Sequence, residues 1–259
     1  MRRILLLITI PLCFHNAGFA ATSAESFLIP GVDFSKLDLQ EGAWCRYVVV
    51  DEALGQIDSS EIYIGVPSRE MTSRGEAFWV EIETRPVGGS FGEADVLKLL
   101  VLEKIRAFDS GDSLGDYVVK LYNRTGDRPP REEDPKRFKR FSQVIPTTDS
   151  SWVSTPDVLE GATGSELSCV KKKRTVRDDR EVVTGKVRLI KKARDDFAVW
   201  FCDDIPVFHL AKCEIVRVRE TETLPKITGV PNLGKKVATT TAALVAFGFD
   251  ATPILSVER

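Results

Sequence analysis

Apolar and polar side chains alternate with a period of two along most of this chain. In Ser59–Pro67, Ile62 and Ile64 oppose Glu61 and Tyr63. In Ala77–Pro86, Phe78, Val80 and Ile82 oppose Trp79, Glu81 and Glu83. Trp44–Glu52 alternates less cleanly but is rich in β-branched and aromatic residues. A turn at Gly55 and a polar stretch before Ala77 separate the three, so the pattern predicts a meander of antiparallel strands. Asp95–Phe108 has no clean helical stripe and is read as a strand; Tyr117–Arg124 is another. The texture then changes. The region near 128–143 holds three prolines and many charges and predicts a surface loop, and Ser150–Gly164 predicts a second one.

Strands resume at Ser165–Val176, Val182–Arg194, Phe197–Asp204 and Ala211–Thr223. "RDDRE" (177–181) and Asp195-Asp196 read as turns between them, and Ile215-Val216 reads as a bulge. A last Thr- and Val-rich segment breaks at Gly248 and is expected to close the sheet. Nine or ten strands and no long amphipathic helix predict a mainly β domain. One apolar and one charged face per strand is the signature of an antiparallel sheet wet on one side.

The N-terminus adds a compartment. Arg2 and Arg3 precede an apolar run from Ile4 to Phe14, and Gly18-Phe19-Ala20 supplies small residues for cleavage. That layout predicts a signal peptide over 1–20 and export to the periplasm or cell envelope. The run is shorter than the ~20 residues of a membrane span. One domain is then expected over 21–259, with no integral membrane segment left. Losing two arginines takes the net charge from −2 to about −4, which argues against a nucleic-acid partner. Four cysteines remain (Cys45, Cys169, Cys202 and Cys213) with one histidine, His209. In an exported chain such a set permits two disulfides.

Chemistry concentrates in Val199–Ile215, "VWFCDDIPVFHLAKCEI". A metal reading needs Cys202, His209 and Cys213 to converge, yet their spacing is wrong for a structural zinc site. If 197–204 and 211–219 pair as a hairpin, Cys202 and Cys213 lie near one another and could bond, leaving Cys45 with Cys169. Plain burial of the cysteines stays open. A single histidine leaves little room for a catalytic triad or a histidine metal site. No phosphate loop, GxSxG or HExxH is present. The reading leans away from an enzyme, with no catalytic residue, metal or cofactor assigned. Glu81 and Glu83 share a strand face, as glycosidase carboxylates can, but acid-rich strand faces are common. Asn123 heads an N-x-T acceptor for glycosylation.

The tryptophan-strand, proline-turn, strand pattern of Trp200, Asp203, Ile205-Pro206 and Lys212-Cys213-Glu214 resembles exported bacterial proteins of the LolA/LolB-like lipoprotein-carrier type. "EGAWCRYVVVD", "IYIGVPSRE", "AFWVEIET" and "DVLKLLVL" resemble the same proteins. The resemblance implies a strongly curved antiparallel sheet, an open or half barrel with few short helices. It also implies an apolar concavity able to hold lipid or a lipoprotein acyl group, at ~0.8 kcal/mol per buried CH₂. Trp79 and Trp200 are the candidate cavity residues. The alternative is an assembly protein that binds another envelope protein through its charged loop and strand faces.

Overall fold

In the computed structural model, residues 37–87, 93–107, 114–136, 151–160, 166–184, 187–224 and 234–256 are described. They build one open, curved, antiparallel sheet of eleven strands. Six come from the first half: β1 (Trp44–Ala53), β2 (Gln56–Thr72), β3 (Gly75–Val87), β4 (Asp95–Leu102), β5 (Val118–Thr125) and β6 (Arg131–Glu133). Five come from the second: β7 (Val153–Glu160), β8 (Glu166–Thr184), β9 (Val187–Phe201), β10 (Leu210–Leu224) and β11 (Lys235–Gly248). Helical structure among these residues is limited to two 3₁₀ turns, Glu103–Ala107 and Leu114–Asp116. The predicted signal peptide and residues 137–143 of the predicted charged loop lie outside the described residues; 128–136 are described, and there the loop reading is corrected by the short strand β6, which pairs with Leu121–Asn123 of β5.

The spatial order is β6-β5-β4-β3-β2-β1-β11-β10-β9-β8-β7. Each half is a simple meander. The last strand does not close the sheet as expected; it is the seam in its middle, pairing with β1 on one side and β10 on the other. Leu54 and Gly55, both at positive φ, make the tight turn between β1 and β2, as two-residue hairpins require.

Alternation puts one row of apolar side chains on a single core face. Val49, Ala242, Cys213 and Val199 run across the middle, each opposite the next. Tyr47 and Ile62, then Ile64, Ile82 and Leu97, continue the face into the first half. All of these are buried.

The second half departs from expectation in three places. "RDDRE" is not a turn but the middle of β8, and Asp195-Asp196 lies inside β9. Neither stretch contains Gly or Pro, and several of their charges find partners, although Arg177 faces Arg194 and Arg180 faces Lys191. Arg219 pairs with Asp195, and Thr175 donates to Asp196 at 2.7 Å. The bulge near the start of β10 falls between Leu210 and Lys212, not at Ile215-Val216. Val153–Glu160, read as loop, is the edge strand β7. Its Pro156 is tolerated because an edge strand need not donate from every N–H.

After β11 the chain crosses the opposite face of the sheet. Gly42 has φ +88°, and a Cβ there would lie 2.6 Å from the Phe249 carbonyl oxygen; its own oxygen accepts from the Ala251 N–H at 2.7 Å. Trp44 Nε1–H donates to Asp250 at 2.7 Å. The segment ends on a buried ion pair. Glu81 and Lys98, directly opposite on β3 and β4, meet at 2.8 Å. The Glu81 carboxylate accepts the backbone N–H groups of Ile254 and Leu255, while Lys98 Nζ donates to the Leu255 carbonyl at 2.6 Å. Glu81 is fully buried and Lys98 nearly so. Removing one partner strands the other charge out of water, which costs about 3–5 kcal/mol. Glu81→Ala is therefore expected to lower the unfolding free energy by about that amount in urea titration. Amide exchange at Ile254 and Leu255 should accelerate well beyond that of β1 and β2, because the strap detaches first.

Candidate functional site

The cysteine-rich stretch folds as strand, plug, strand. β9 ends at Phe201, and residues 202–209 then dip onto the core face before β10 begins. Ile205, Val207, Phe208 and Leu210 are all buried in the main core. Their backbone is tied down from β1 and from the segment before it. The Cys45 thiol donates to the Pro206 carbonyl at 3.0 Å, and the Tyr47 hydroxyl donates to the Leu210 carbonyl at 2.9 Å. The Asp38 N–H donates to the Val207 carbonyl at 2.7 Å. Val207 and His209 sit at positive φ, +70° and +55°. For a β-branched residue this is strained, by about 1–3 kcal/mol, and persists only where the surroundings over-determine it.

This geometry corrects the expected cysteine pairing. The loop is closed by the Cys202 N–H donating to the His209 carbonyl at 2.8 Å. Cys213 therefore lies opposite Val199, not Cys202. The hairpin idea assumed a register three residues away from the real one. Cys202 is bonded instead to Cys169, across the β8–β9 hairpin, with a Cα–Cα distance of 4.3 Å. Cys45 and Cys213 are free and buried. They sit on β1 and β10, separated by β11. Cys213 shares a cross-strand row with Val49, four residues along β1 from Cys45. At ~3.3 Å per residue that gap exceeds disulfide reach. Burial pushes both free thiols up to about 12. The Tyr47 hydroxyl is likewise raised by burial and by the neighbouring Cys45.

His209 does not join a cysteine cluster. Its Nδ1 lies 3.2 Å from the Asp203 carbonyl, an acceptor only, so Nδ1 carries the proton. The disulfide removes Cys202 from any thiolate set, and Cys213 lies several residues away along the ladder. No group of three His, Cys, Asp or Glu side chains suited to a metal ion occurs among the described residues.

The two tryptophans singled out from the sequence lie on the face opposite the plug. Trp79 Nε1–H donates to Glu70 at 3.1 Å, with Lys98 and Lys120 over its ring at 5.1 and 5.9 Å. Trp200 repeats the arrangement: its indole N–H donates to Asp157 at 2.8 Å, with Lys171 and Lys212 over the ring at 4.1 and 5.1 Å. That indole N–H, with the Val158 backbone N–H, holds the Asp157 carboxyl below the usual carboxylate range. Each indole is thus enclosed by the chain's own charges. Glu81 binds the strap rather than facing a cleft, and Glu83 pairs with Arg85 at 2.9 Å. A depression of about 390 Å³ lined by Asp38, Glu41, Arg69, Glu76 and Glu103 is polar and open.

What remains unspent is an extension of the sheet beyond its core. β8 from Thr175 to Val183 is exposed along its whole length, and β9, β10 and β11 run beside it with little buried. Arg188 with Glu181, Lys192 with Glu222 and Arg219 with Asp195 join neighbouring strands, and Arg194 pairs with Asp196 within β9. Val176, Val182 and Val183 are exposed among these charges. Long strands of mixed charge with both faces in water form a surface, not a reaction centre. The sequence reading missed it because the extension's charges were taken for turns.

No protein-family model and no curated protein matches the chain. Two crystal structures are similar. One, from Parabacteroides distasonis, is provisionally described as a lipoprotein; it is 10% identical, with a TM-score of 0.34 over 84% of this chain and 99% of that one. The other, from Bacteroides fragilis, is provisionally described as an exported protein with a YmcC-like fold. It is 10% identical, with a TM-score of 0.33 over 82% and 98% of the two chains. Likeness at that level fixes neither fold nor function.

The cysteine geometry gives a direct test. Non-reduced peptide mapping should yield a Cys169–Cys202 crosslink and no Cys202–Cys213 species. Cys45 and Cys213 should resist alkylation until the protein is unfolded. Their folded values near 12 against 9.0 unfolded also set a pH dependence. Above pH 9 the unfolded chain releases thiol protons that the folded chain keeps, so stability is intact below pH 9 and falls between about 9 and about 12. In denaturant titrations the fall should become shallower in Cys213→Ala.

Proposed function

We propose that this is an exported, non-enzymatic protein of the periplasm or cell envelope, folded as a single β-rich domain, that binds another protein through the strand extension of β8 to β11. The observation that carries the reading is that extension. Its strands continue well past the core, exposed to water, with cross-strand ion pairs such as Arg188–Glu181, Lys192–Glu222 and Arg219–Asp195 between them. Burying nothing of its own, it serves only what lies outside the domain. The N-terminal apolar run with Arg2 and Arg3 supports export, and the Cys169–Cys202 bond suits an oxidising compartment.

The lipid-carrier reading shares the open antiparallel sheet with the LolA/LolB resemblance, but the described residues do not favour it. Ile205, Val207, Phe208 and Leu210 occupy the core face that an acyl chain would need. Trp79 and Trp200 lie on the other side, already stacked beneath lysines.

Site-specific photocrosslinking in the native cell tests the proposal. Probes at Val182 and Lys192 should trap one discrete protein other than a second copy of this chain, and probes at Met71, exposed on the far half, should not. Replacing the β8–β9 hairpin beyond Val176 with a short turn should abolish the adduct while near-UV circular dichroism of the core persists. Native mass spectrometry that finds stoichiometric acyl species, with no position-specific adduct, would overturn it in favour of lipid carriage.

A further inference from the structure

β8 is the longest strand, and only part of it is covered. β7 pairs with Glu166–Lys173. From Thr175 to Val183 the outer edge has no strand neighbour among the described residues. Such an edge is a template for another chain. The other edges are blunted: β6 is three residues long, and β7 contains Pro156. The free stretch of β8 has no proline, no glycine and no bulge. Its register against β9 is unbroken from Val170↔Phe201 to Thr184↔Val187.

The register also shows which backbone groups are on offer. Cys169 and Cys202 face each other with Cα atoms 4.3 Å apart. That is the narrow spacing of a pair that exchanges no backbone hydrogen bonds. The N–H and C=O of Cys169 therefore point away from β9. With no bulge in between, the same holds at every second residue: Thr175, Arg177, Asp179, Glu181 and Val183.

An antiparallel partner must present outward-pointing residues to outward-pointing residues. For a second copy related by a dyad, the axis must then pass through a single residue. Through Asp179, Arg177 falls opposite Glu181 of the second copy, Asp178 opposite Arg180, and Val176 opposite Val182, each twice by symmetry. Moving the axis to Asp178 keeps one attractive pair, Arg177 against Asp179, but leaves Arg180 against Val176 and Glu181 against Thr175, and Asp178 then meets itself at the dyad. Moving it to Arg180 sets Asp179 against Glu181. Only the Asp179 axis turns the sequence "TVRDDREVV" into its own electrostatic complement. Asp178 and Arg180 already pair at 2.7 Å within the strand, so the two copies would form a ring of four alternating charges. Edge charges ordinarily repel a second copy; this order makes them attract. The cost is at the dyad, where Asp179 meets itself, since like charges directly opposite destabilise.

We propose that two copies of this chain pair antiparallel along the edge of β8 that no described strand covers, about a dyad at Asp179, to form one continuous sheet. The inference is independent of which outside protein the extension binds. Sedimentation equilibrium of the full mature chain across a wide concentration range tests it. A reversible monomer–dimer equilibrium is expected. Arg177→Glu should weaken it about tenfold or more, because two attractive cross-strand pairs become repulsive. The double variant Arg177→Glu/Glu181→Arg should restore it. Asp179→Asn should tighten it, a gain that no folding defect would imitate. A chain that stays monomeric at every concentration, or a dimer that ignores Arg177→Glu and is not tightened by Asp179→Asn, overturns the proposal.

Discussion

The sheet depends on one late pairing. β11 lies between β1 and β10, so the first strand cannot have its second neighbour until nearly the last residues of the chain are in place. The sheet is thus two meanders of local hairpins joined at this one seam. The β1–β11 ladder spans roughly two hundred residues of sequence. Closing so long a loop is entropically costly, and contacts of this range slow folding. The ladder is also where the core row becomes continuous, since Val49, Ala242, Cys213 and Val199 meet only across it.

Two further devices act on the same seam from its two faces. On the core face the 202–210 plug is held from β1 by the Cys45 thiol and the Tyr47 hydroxyl. On the opposite face the residues after β11 run past Gly42 and Trp44 to the Glu81–Lys98 pair. Both devices join the second half of the chain to the first. Both use polar groups that burial makes costly to leave unpaired. A buried ion pair is weak evidence of net stability, but breaking it by removing one partner is costly. Glu81 and Lys98 together satisfy two backbone donors and one acceptor of the strap, which few other paths of those residues would do.

The alternation of the first half was legible because it is local. A strand with one buried face states its own register, as β1 and β3 do; β4 is buried on both faces and ends at Leu102, where Glu103–Ala107, read from the sequence as more strand, turns into a 3₁₀ helix. The second half was less legible where local signals and long-range pairing disagree. Acid–base clusters such as "RDDRE" look like turns when read alone; opposite β9 and its neighbours they are strand residues, and several of their charges find partners. The Cys202–Cys213 expectation failed for a related reason. Hairpin counting assumes a short connection, and the plug closes its loop through a backbone bond between Cys202 and His209 that no periodicity reveals. Glu81 was visible as one acid among many. Its burial is set by residues 254 and 255, whose position over β3 is not encoded near either of them.

The same contrast separates the protein's interior from its surface. Every feature that first looked reactive is committed to the fold: the disulfide to the β8–β9 hairpin, the free thiols to the core, the indoles to lysine and carboxylate pairs, and Glu81 to the strap. The extension of β8 to β11 is the reverse case. It contributes little to the core, yet ion pairs link its charges across three strands, β8, β9 and β10. Surface ion pairs of this kind are worth little individually to stability, about 0–1 kcal/mol each. An arrangement that stability does not explain is better explained by what it keeps straight, exposed and soluble. In this chain that is a long edge and two wet faces, held clear of the core.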